Sequence, residues 1–276
     1  MMSLFEGRKV GLALGVGGAR GAAHLGVMRA LNRHGIKIHC VAGSSSGSIF
    51  GAIVAAGCVD RAEEYFKTLS RWKAWRMMFE LRLPLGGGLI TGKHIDKMLR
   101  DIVPYTRFDE LKMPFAAVVT DLYSGDEVVL RDGDLLGAVK ASYSVPGLFT
   151  PVLRDGRWIV DGGLVNAIPV AACREMGADV VIGVDVNLGK NFARHKQQPT
   201  EKSPSFAQVF VRVCKIIEKK WTQNVLLTDR PEILIQPSVG NIISSRIRHI
   251  NFAIRAGEVA AERALREYAG IPLVDA

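Results

Sequence analysis

The stretch Gly43-Ser44-Ser45-Ser46-Gly47 lies between an alternating apolar run at residues 38–42 and a continuous apolar run at residues 49–54. The first run predicts a β-strand and the second a buried helix, so the five residues form a sharp turn between them. Small residues let the chain reverse tightly, and the turn exposes the hydroxyl of its central residue, Ser45, near the helix amino terminus. The pattern is typical of a serine nucleophile, which also needs an oxyanion hole, a base and an acyl pocket.

A glycine-rich loop follows the first predicted strand, residues 9–14. Its sequence is Gly15-Val16-Gly17-Gly18-Ala19-Arg20-Gly21, and a helix that ends at Gly35 comes after it. Successive N–H groups of such a loop can face an anion that forms beside Ser45, which predicts an oxyanion hole. A nucleotide site is the alternative, but Val16 stands where the Gly-x-Gly-x-x-Gly pattern needs its first glycine.

The composition suits a globular α/β protein in a reducing compartment. A chain of 276 residues with 48% hydrophobic residues can bury a substantial core, which excludes a disordered protein. The four cysteines are scattered through apolar segments and predict buried thiols instead of a disulfide framework or a metal site. The start of the sequence lacks the pattern of a signal peptide, and no uncharged apolar run is long enough to span a bilayer. We therefore expect a cytoplasmic protein.

The net charge of +9 favours anionic partners. A nucleic acid is not expected, because the basic residues are dispersed and no helix-turn-helix, zinc-finger or RNP pattern occurs. An anionic membrane surface fits better, and a basic surface without a specific partner is the alternative. In residues 72–85, aromatic and apolar side chains are interleaved with arginine and lysine. This pattern predicts either a helix that packs on the core or a lid formed by residues 72–88. No cofactor or metal is expected.

The remaining segments predict further strands and helices around a sheet. Residues 114–120 and 127–131 form one expected hairpin, and residues 151–153 and 158–160 form another around Asp155-Gly156. The second hairpin leads into Asp161-Gly162-Gly163, which is either a loop of the active site or an ordinary turn.

The carboxyl-terminal third contains a buried strand at residues 179–186, a polar loop at 189–204 and a last strand at 232–236. Apolar residues repeat at helical spacing over residues 206–221, which predicts a helix facing the core or, alternatively, a membrane. A last helix covers residues 250–268. We therefore expect one α/β domain over the whole chain, with a mainly parallel central sheet and helices on both faces.

Three motifs in this chain resemble, in order, those of the patatin-like phospholipases of bacteria. Gly17-Gly18-Ala19-Arg20-Gly21 resembles the oxyanion loop of that family, Gly43-Ser44-Ser45-Ser46-Gly47 its nucleophile turn, and Asp161-Gly162-Gly163 its Asp-Gly-Gly motif. Residues 141–147, Ala-Ser-Tyr-Ser-Val-Pro-Gly, resemble the segment that precedes the family's aspartate. The resemblance covers residues 10–172, and residues 173–276 are expected to complete the same fold. Val16 departs from the glycine that many members carry.

The resemblance implies a three-layer α/β/α fold and a Ser–Asp dyad without a histidine. Ser45 is the implied nucleophile and Asp161 the implied base, while the N–H groups of Gly17, Gly18 and Ala19 form the oxyanion hole. The implied supporting residues are Arg20, Gly21, Gly43, Gly47, Gly162 and Gly163. The implied activity is hydrolysis of lipid acyl esters, of the phospholipase A or lysophospholipase type, through an acyl-enzyme. Peripheral contact with the inner membrane face fits both the substrate and the charge.

Several alternatives stay open. A triad in the order Ser, Asp, His needs a histidine after Asp161, and only His195 in the polar loop and His249 at a helix start qualify. A member of the same fold can also bind lipid or a partner without turnover, or transfer the acyl group to an acceptor other than water. Arg20 either adds charge to the glycine loop or holds it in place. His24 is expected to pack or cap instead of reacting.

Overall fold

A computed structural model describes residues 2–68, 88–187, 203, 205–239 and 247–272 of the chain. Within these ranges the strands are β1 (Val10–Leu14), β2 (Ile38–Ser44), β3 (Gly88–Ile90), β4 (Phe115–Asp121), β5 (Glu127–Leu130), β6 (Gly147–Phe149), β7 (Val152–Arg154), β8 (Arg157–Asp161), β9 (Val180–Val184) and β10 (Ile233–Ile235). The α-helices are α1 (Ala23–Arg33), α2 (Ser46–Ala55), α3 (Val59–Thr68), α4 (Lys93–Ile102), α5 (Leu135–Ser142), α6 (Val170–Glu175), α7 (Phe206–Thr228) and α8 (Ile247–Tyr268).

The central sheet has a parallel half and an antiparallel half. Its hydrogen-bonded strands follow the path β10-β9-β1-β2-β4-β8-β7, in which β2 and β8 pair with successive parts of β4, and every pair from β10 to β4 is parallel. The β4–β5, β4–β8 and β8–β7 pairs are antiparallel. Both expected hairpins are confirmed, and Asp155 and Gly156 form the turn of the second with φ of 49° and 75°. The expected α/β fold is confirmed, with the addition that the sheet is mixed.

Helices cover both faces of this sheet. Successive strand residues point alternately into two core clusters, as the period of two in a β-strand requires. The first core cluster joins the sheet to α1, α2 and α8, and its members include Leu12, Leu14, Val41, Ile182 and Leu265. The second core cluster joins the sheet to α6 and α7. Its members include Ala13, Ala42, Val118 and Cys173, and Val225 of α7 packs against it. The predicted three-layer arrangement is therefore confirmed.

Helix α8 supports the helix that follows the glycine loop. A Cβ on Gly26 would overlap the carbonyl oxygen of Ile254, and a Cβ on Gly257 would overlap that of Ala23. The two glycines therefore let the backbones of α1 and α8 touch. Arg33 of α1 also forms ion pairs with Glu258 and Glu262 of α8.

The orientation of α7 differs from the core-facing expectation. Cys214 is buried, but Val209, Val213 and Ile216 are 44%, 46% and 58% exposed. The core-facing interpretation is therefore wrong for these three residues. Helical periodicity identifies the apolar sides of a helix. Where two sides carry apolar residues, as in α7, it does not tell which of them packs on the sheet.

Two other expectations fall outside the described residues. The predicted lid, residues 72–88, lies there except for Gly88, which begins β3. The polar loop at residues 189–204 lies there except for residue 203.

Among the described helices, none combines the length and apolarity that a bilayer-spanning segment needs.

Candidate active site

The turn between β2 and α2 has the geometry expected of a nucleophile turn. Ser45 has φ of 55° and ψ of −123°, a region that side-chain-bearing residues rarely adopt. Such a backbone costs on the order of 1–3 kcal/mol and persists only where its surroundings hold it in place. The Ser45 carbonyl oxygen accepts hydrogen bonds from the N–H (3.0 Å) and the hydroxyl (2.7 Å) of Ser48, which fix the turn to α2.

The two glycines of the motif are required by close backbone contacts. A Cβ on Gly43 would overlap the Gly47 carbonyl, and a Cβ on Gly47 would overlap the carbonyl oxygen of Leu14 in β1. Any larger residue at either position would push the turn away from the sheet. The sequence prediction of Gly43 and Gly47 as supporting residues therefore has a steric basis.

The pairing of β4 brings the strands that carry Ser45 and Asp161 together. Ser44 pairs with Val118 of β4, and Asp161 pairs with the next residue, Val119. Both β2 and β8 lie on the same edge of β4, because β5 pairs with Val118 and Val119 along the other edge. The parallel β2 and the antiparallel β8 therefore meet at their carboxyl ends. A Cβ on Gly162 would lie 2.8 Å from the Ser44 hydroxyl oxygen, which shows how closely they approach.

Hydrogen bonds hold Asp161 in place. One carboxylate oxygen, Oδ1, accepts a 2.7 Å bond from the Gly163 N–H, and the Asp161 N–H donates to the Ser144 carbonyl at 3.0 Å. The Thr120 hydroxyl donates to the Asp161 carbonyl at 2.8 Å. The residue is 3% exposed. A Cβ on Gly163 would lie 2.9 Å from Oδ1, so glycine leaves room for the carboxylate.

Ser142 is a site residue to which the sequence pattern assigns no role. Its hydroxyl accepts a 3.0 Å hydrogen bond from the Ser45 N–H and donates a 2.7 Å bond to the Val118 carbonyl. Ser142 is fully buried and therefore ties the strained turn to the middle of β4. The signal available in the sequence was its place in the segment 141–147, next to the residues that hold Asp161.

The glycine loop lies against the serine turn. A Cβ on Gly21 would lie 2.8 Å from the Ser46 Cβ, and a Cβ on Gly17 would overlap Val186. Residues Gly18–Ala22 form a 3-10 turn, closed by the Arg20 N–H, which donates to the Gly17 carbonyl at 3.1 Å. The first N–H groups of a helical turn have no acceptor inside it, so those of Gly18 and Ala19 can donate to a bound group.

The Arg20 side chain holds the glycine loop in place through hydrogen bonds. Its Nε donates to the Gly17 carbonyl at 3.3 Å, and its guanidinium also donates to the Asn187 side-chain oxygen. The Asn187 N–H in turn donates to Asp185 at 2.8 Å, and Gln236 donates to the same carboxylate at 3.1 Å. Of the two roles considered for Arg20, these contacts favour the one that holds the loop in place. Motif spacing could not identify Asn187, because its role depends on β9 lying beside β1.

His24 packs and supports the loop, as expected. Its Nε2 lies 3.0 Å from the Gly15 carbonyl oxygen, to which it donates because a carbonyl can only accept. Its ring lies against Phe50 at a centroid distance of 5.9 Å. The side chain is fully buried, and this burial lowers the pKa of His24 from 6.5 to about 4. The ring is therefore neutral at pH 7 and serves as a hydrogen-bond donor.

The buried His24 predicts a loss of stability in acid. Between pH 6.5 and about 4 the unfolded chain binds a proton at this position and the folded chain does not. About 3 kcal/mol of stability, fully present above pH 6.5, is therefore lost as the pH falls to about 4. We expect His24→Gln to flatten this slope, because glutamine can donate to Gly15 but does not titrate. Urea unfolding at pH 7.5, 5.5 and 4.5 measures the difference, and equal slopes for both proteins would contradict the assignment.

A Ser–Asp–His triad would need His195 or His249. His249 lies in the first turn of α8, and His195 lies outside the described residues.

In the part of the chain that the structure describes, no group of three or more histidine, cysteine, aspartate or glutamate residues has the geometry of a metal site.

The chain is similar to proteins of one family over more than half of its length. The family model described as patatin-like phospholipase matches residues 12–174. An uncharacterized NTE family protein of Mycobacterium tuberculosis is 38% identical over 181 residues, which cover 65% of this chain and 49% of that protein. A patatin-like phospholipase domain-containing protein of Caenorhabditis elegans is 34% identical over 190 residues, which cover 66% of this chain and 14% of that protein.

A solved structure shares the fold. The crystal structure of VipD from Legionella pneumophila matches with a TM-score of 0.54 at 13% identity, covering 95% of this chain and 67% of that chain. A likeness at this identity concerns the fold alone. The chain spans about half the length of the mycobacterial relative and a smaller share of the nematode one.

Proposed function

Because the chain belongs to the patatin-like phospholipase family, we propose that it is a serine hydrolase that cleaves carboxylic esters of lipids through an acyl-enzyme on Ser45. The observation that carries the proposal is the register of β4, on which the ends of β2 and β8 meet. In this register the end of β2, which Ser45 directly follows, meets the end of β8, which carries the buried Asp161. The glycine loop lies beside them, with N–H groups available to an anion.

In the first half of the proposed reaction, Ser45 Oγ attacks the ester carbonyl carbon while its proton moves to the Asp161 carboxylate. The carbonyl electron pair moves to oxygen and forms a tetrahedral oxyanion. Collapse of this intermediate breaks the bond to the alcohol, which leaves with the proton held by Asp161. The acyl group stays on Ser45. Water then attacks the acyl carbonyl: Asp161 accepts a proton from the water and passes it to Ser45 Oγ as the bond to Ser45 breaks, which releases the carboxylic acid and restores the enzyme.

Asp161 would accept the Ser45 proton during the attack on the carbonyl carbon and not before it. A carboxylate is a weak base toward a free hydroxyl, so complete transfer of the proton before attack would be unfavourable. Transfer during attack avoids a free alkoxide, because the negative charge passes directly to the carbonyl oxygen. The Gly163 N–H, which binds the carboxylate, and the Thr120 hydroxyl, which binds the Asp161 backbone carbonyl, would together hold the side chain at a fixed position for this transfer.

The glycine loop would supply much of the rate enhancement. One oxyanion donor contributes on the order of 3 kcal/mol to transition-state stabilisation. The N–H groups of Gly17, Gly18 and Ala19 are the proposed donors. Arg20 and His24 would hold these donors in position through their hydrogen bonds to the carbonyl groups of Gly17 and Gly15. Such prior positioning matters because donors that need not move cost no reorganisation energy during the reaction.

A panel of p-nitrophenyl esters of rising acyl chain length tests the proposed activity. We expect turnover of short esters and a rise in kcat/KM with chain length, because each further buried methylene adds about 0.8 kcal/mol of binding. The p-nitroanilide of the preferred chain length is the matched control, and we expect little turnover of this amide. Absence of turnover on every ester would instead favour a member that binds lipid without reacting. Formation of new esters from an added alcohol would indicate acyl transfer.

A further inference from the structure

The outer face of α7 carries exposed apolar residues among basic and polar ones. Val209, Val213 and Ile216 are 44%, 46% and 58% exposed, and Leu227 further along the helix is 84% exposed. At 100° per residue these four side chains lie within about 60° of one another around the helix axis. They are spread over about 27 Å of the helix, since each residue adds about 1.5 Å, and the exposed Lys220 and Gln223 lie on the same side between Ile216 and Leu227. We call these four residues the outer stripe.

The opposite side of the helix already makes its contacts with the protein. Cys214 and Thr222 are buried, and Val225 packs against the second core cluster. These residues are rotated by about 130° or more from the centre of the outer stripe. Packing on the sheet therefore does not explain why these apolar residues share one exposed side, and such a grouping indicates a binding surface.

Basic residues accompany the outer stripe. Arg212 and Lys220 are exposed, and Lys219 is half-buried on the same helix. Over its length α7 carries four basic residues and one acidic residue, and the whole chain has a net charge of +9. Exposed apolar residues with basic residues among and beside them are typical of helices that lie in the interface of an anionic membrane.

We propose that the outer stripe of α7 and its basic residues bind an anionic lipid surface. A second copy of the chain is a poorer occupant, because pairing two such faces would bring like charges together. The helix packs against the Gly162–Leu164 turn, which directly follows Asp161. A membrane bound to the outer stripe would therefore be separated from the turn that follows Asp161 by the width of this helix. The catalytic meaning of this distance rests on the proposed function, whereas lipid binding by α7 does not.

Vesicle sedimentation with the full chain tests this surface. We expect binding to phosphatidylcholine vesicles that contain phosphatidylglycerol to exceed binding to pure phosphatidylcholine by about tenfold or more, and to weaken with salt. Ile216→Glu should reduce binding by about tenfold, since a charge replaces a buried apolar group. Lys220→Gln should reduce binding to the anionic vesicles by about fivefold.

The matched control is Val259→Glu on α8. Val259 is 61% exposed, close to the 58% of Ile216, but α8 packs on the first core cluster and so lies on the opposite face of the sheet. We expect this variant to bind vesicles as the unmodified protein does. Equal losses for the two glutamate variants, or no vesicle binding by the unmodified protein, would overturn the proposal. So would a dimer, seen by light scattering, that Ile216→Glu converts to monomers.

Hydrolysis of a short soluble p-nitrophenyl ester separates this inference from the proposed function. Ile216→Glu should keep the unmodified rate on that ester, because the substitution changes a surface and not the site. A protein that binds vesicles through α7 but hydrolyses no ester would contradict the proposed function alone. A protein that hydrolyses esters but ignores vesicles would contradict the inference alone.

Discussion

Replacing Ser45 with alanine is expected to lower kcat for ester hydrolysis by about 10⁴-fold or more, because no acyl-enzyme can then form. What remains would come from binding and from the oxyanion donors, which act without the nucleophile. Folding should persist, since the Ser142 hydroxyl still accepts the N–H of residue 45 and Ser48 still donates to its carbonyl. Stopped assays with the preferred p-nitrophenyl ester, together with thermal unfolding, measure both effects.

The neighbouring serine provides the control. Ser46 is 3% exposed, and its hydroxyl has no hydrogen-bond partner among the described residues. Ser46→Ala should therefore change kcat by less than about threefold, since no hydrogen bond is lost. A Ser45→Ala protein that retains the unmodified rate, or a Ser46→Ala protein that loses it, would contradict the assignment of the nucleophile.

Replacing Asp161 with asparagine is expected to lower kcat by about 10³-fold or more. The amide has nearly the shape of the carboxylate, and its oxygen can still accept the Gly163 N–H that now binds Oδ1 at 2.7 Å. The backbone bonds to Thr120 and Ser144 do not involve the side chain at all. The fold should therefore survive while the proton acceptor is lost. The assay is the same ester hydrolysis, with thermal unfolding as the check on folding.

Two controls distinguish the dyad from a triad. Asp155→Asn changes a carboxylate in the β7–β8 turn whose side chain is 87% exposed, and it should leave kcat unchanged. His249→Ala should have a mild effect if Asp161 accepts the proton directly from Ser45. A loss for His249→Ala as large as that for Asp161→Asn would favour a Ser–Asp–His triad, since removal of any member of a triad costs several orders of magnitude.

The local parts of the site could be predicted because they depend on short sequence patterns. A serine between two glycines predicts a tight turn, and the overlaps that a Cβ would make at Gly43 and Gly47 give the physical reason. The glycine loop is predictable on the same ground, since Gly18 has a φ of 55° and Gly17 lies against Val186. The direction of the strand carrying Asp161 followed from the hairpin turn at Asp155.

The long-range parts could not be predicted in this way. Nothing in the sequence near Asp161 shows that it pairs with Val119, one position beyond the partner of Ser44. Register is set by packing across the whole sheet, so a local pattern does not reveal it. The same limit applies to Ser142, which reaches Ser45 from a helix 97 positions away. It also applies to α7, where periodicity gave an apolar face but not the face that meets the sheet.

Mapping the adduct of a fluorophosphonate probe by mass spectrometry tests the central claim most directly. Trypsin should release residues 38–61 as one peptide, since the chain has Lys37 before it and Arg61 at its end. We expect one probe per chain, fragmentation that assigns it to Ser45 and not to Ser44, Ser46 or Ser48, and no adduct in the Ser45→Ala protein. An adduct on another residue, or loss of esterase activity with an unmodified Ser45, would contradict the account.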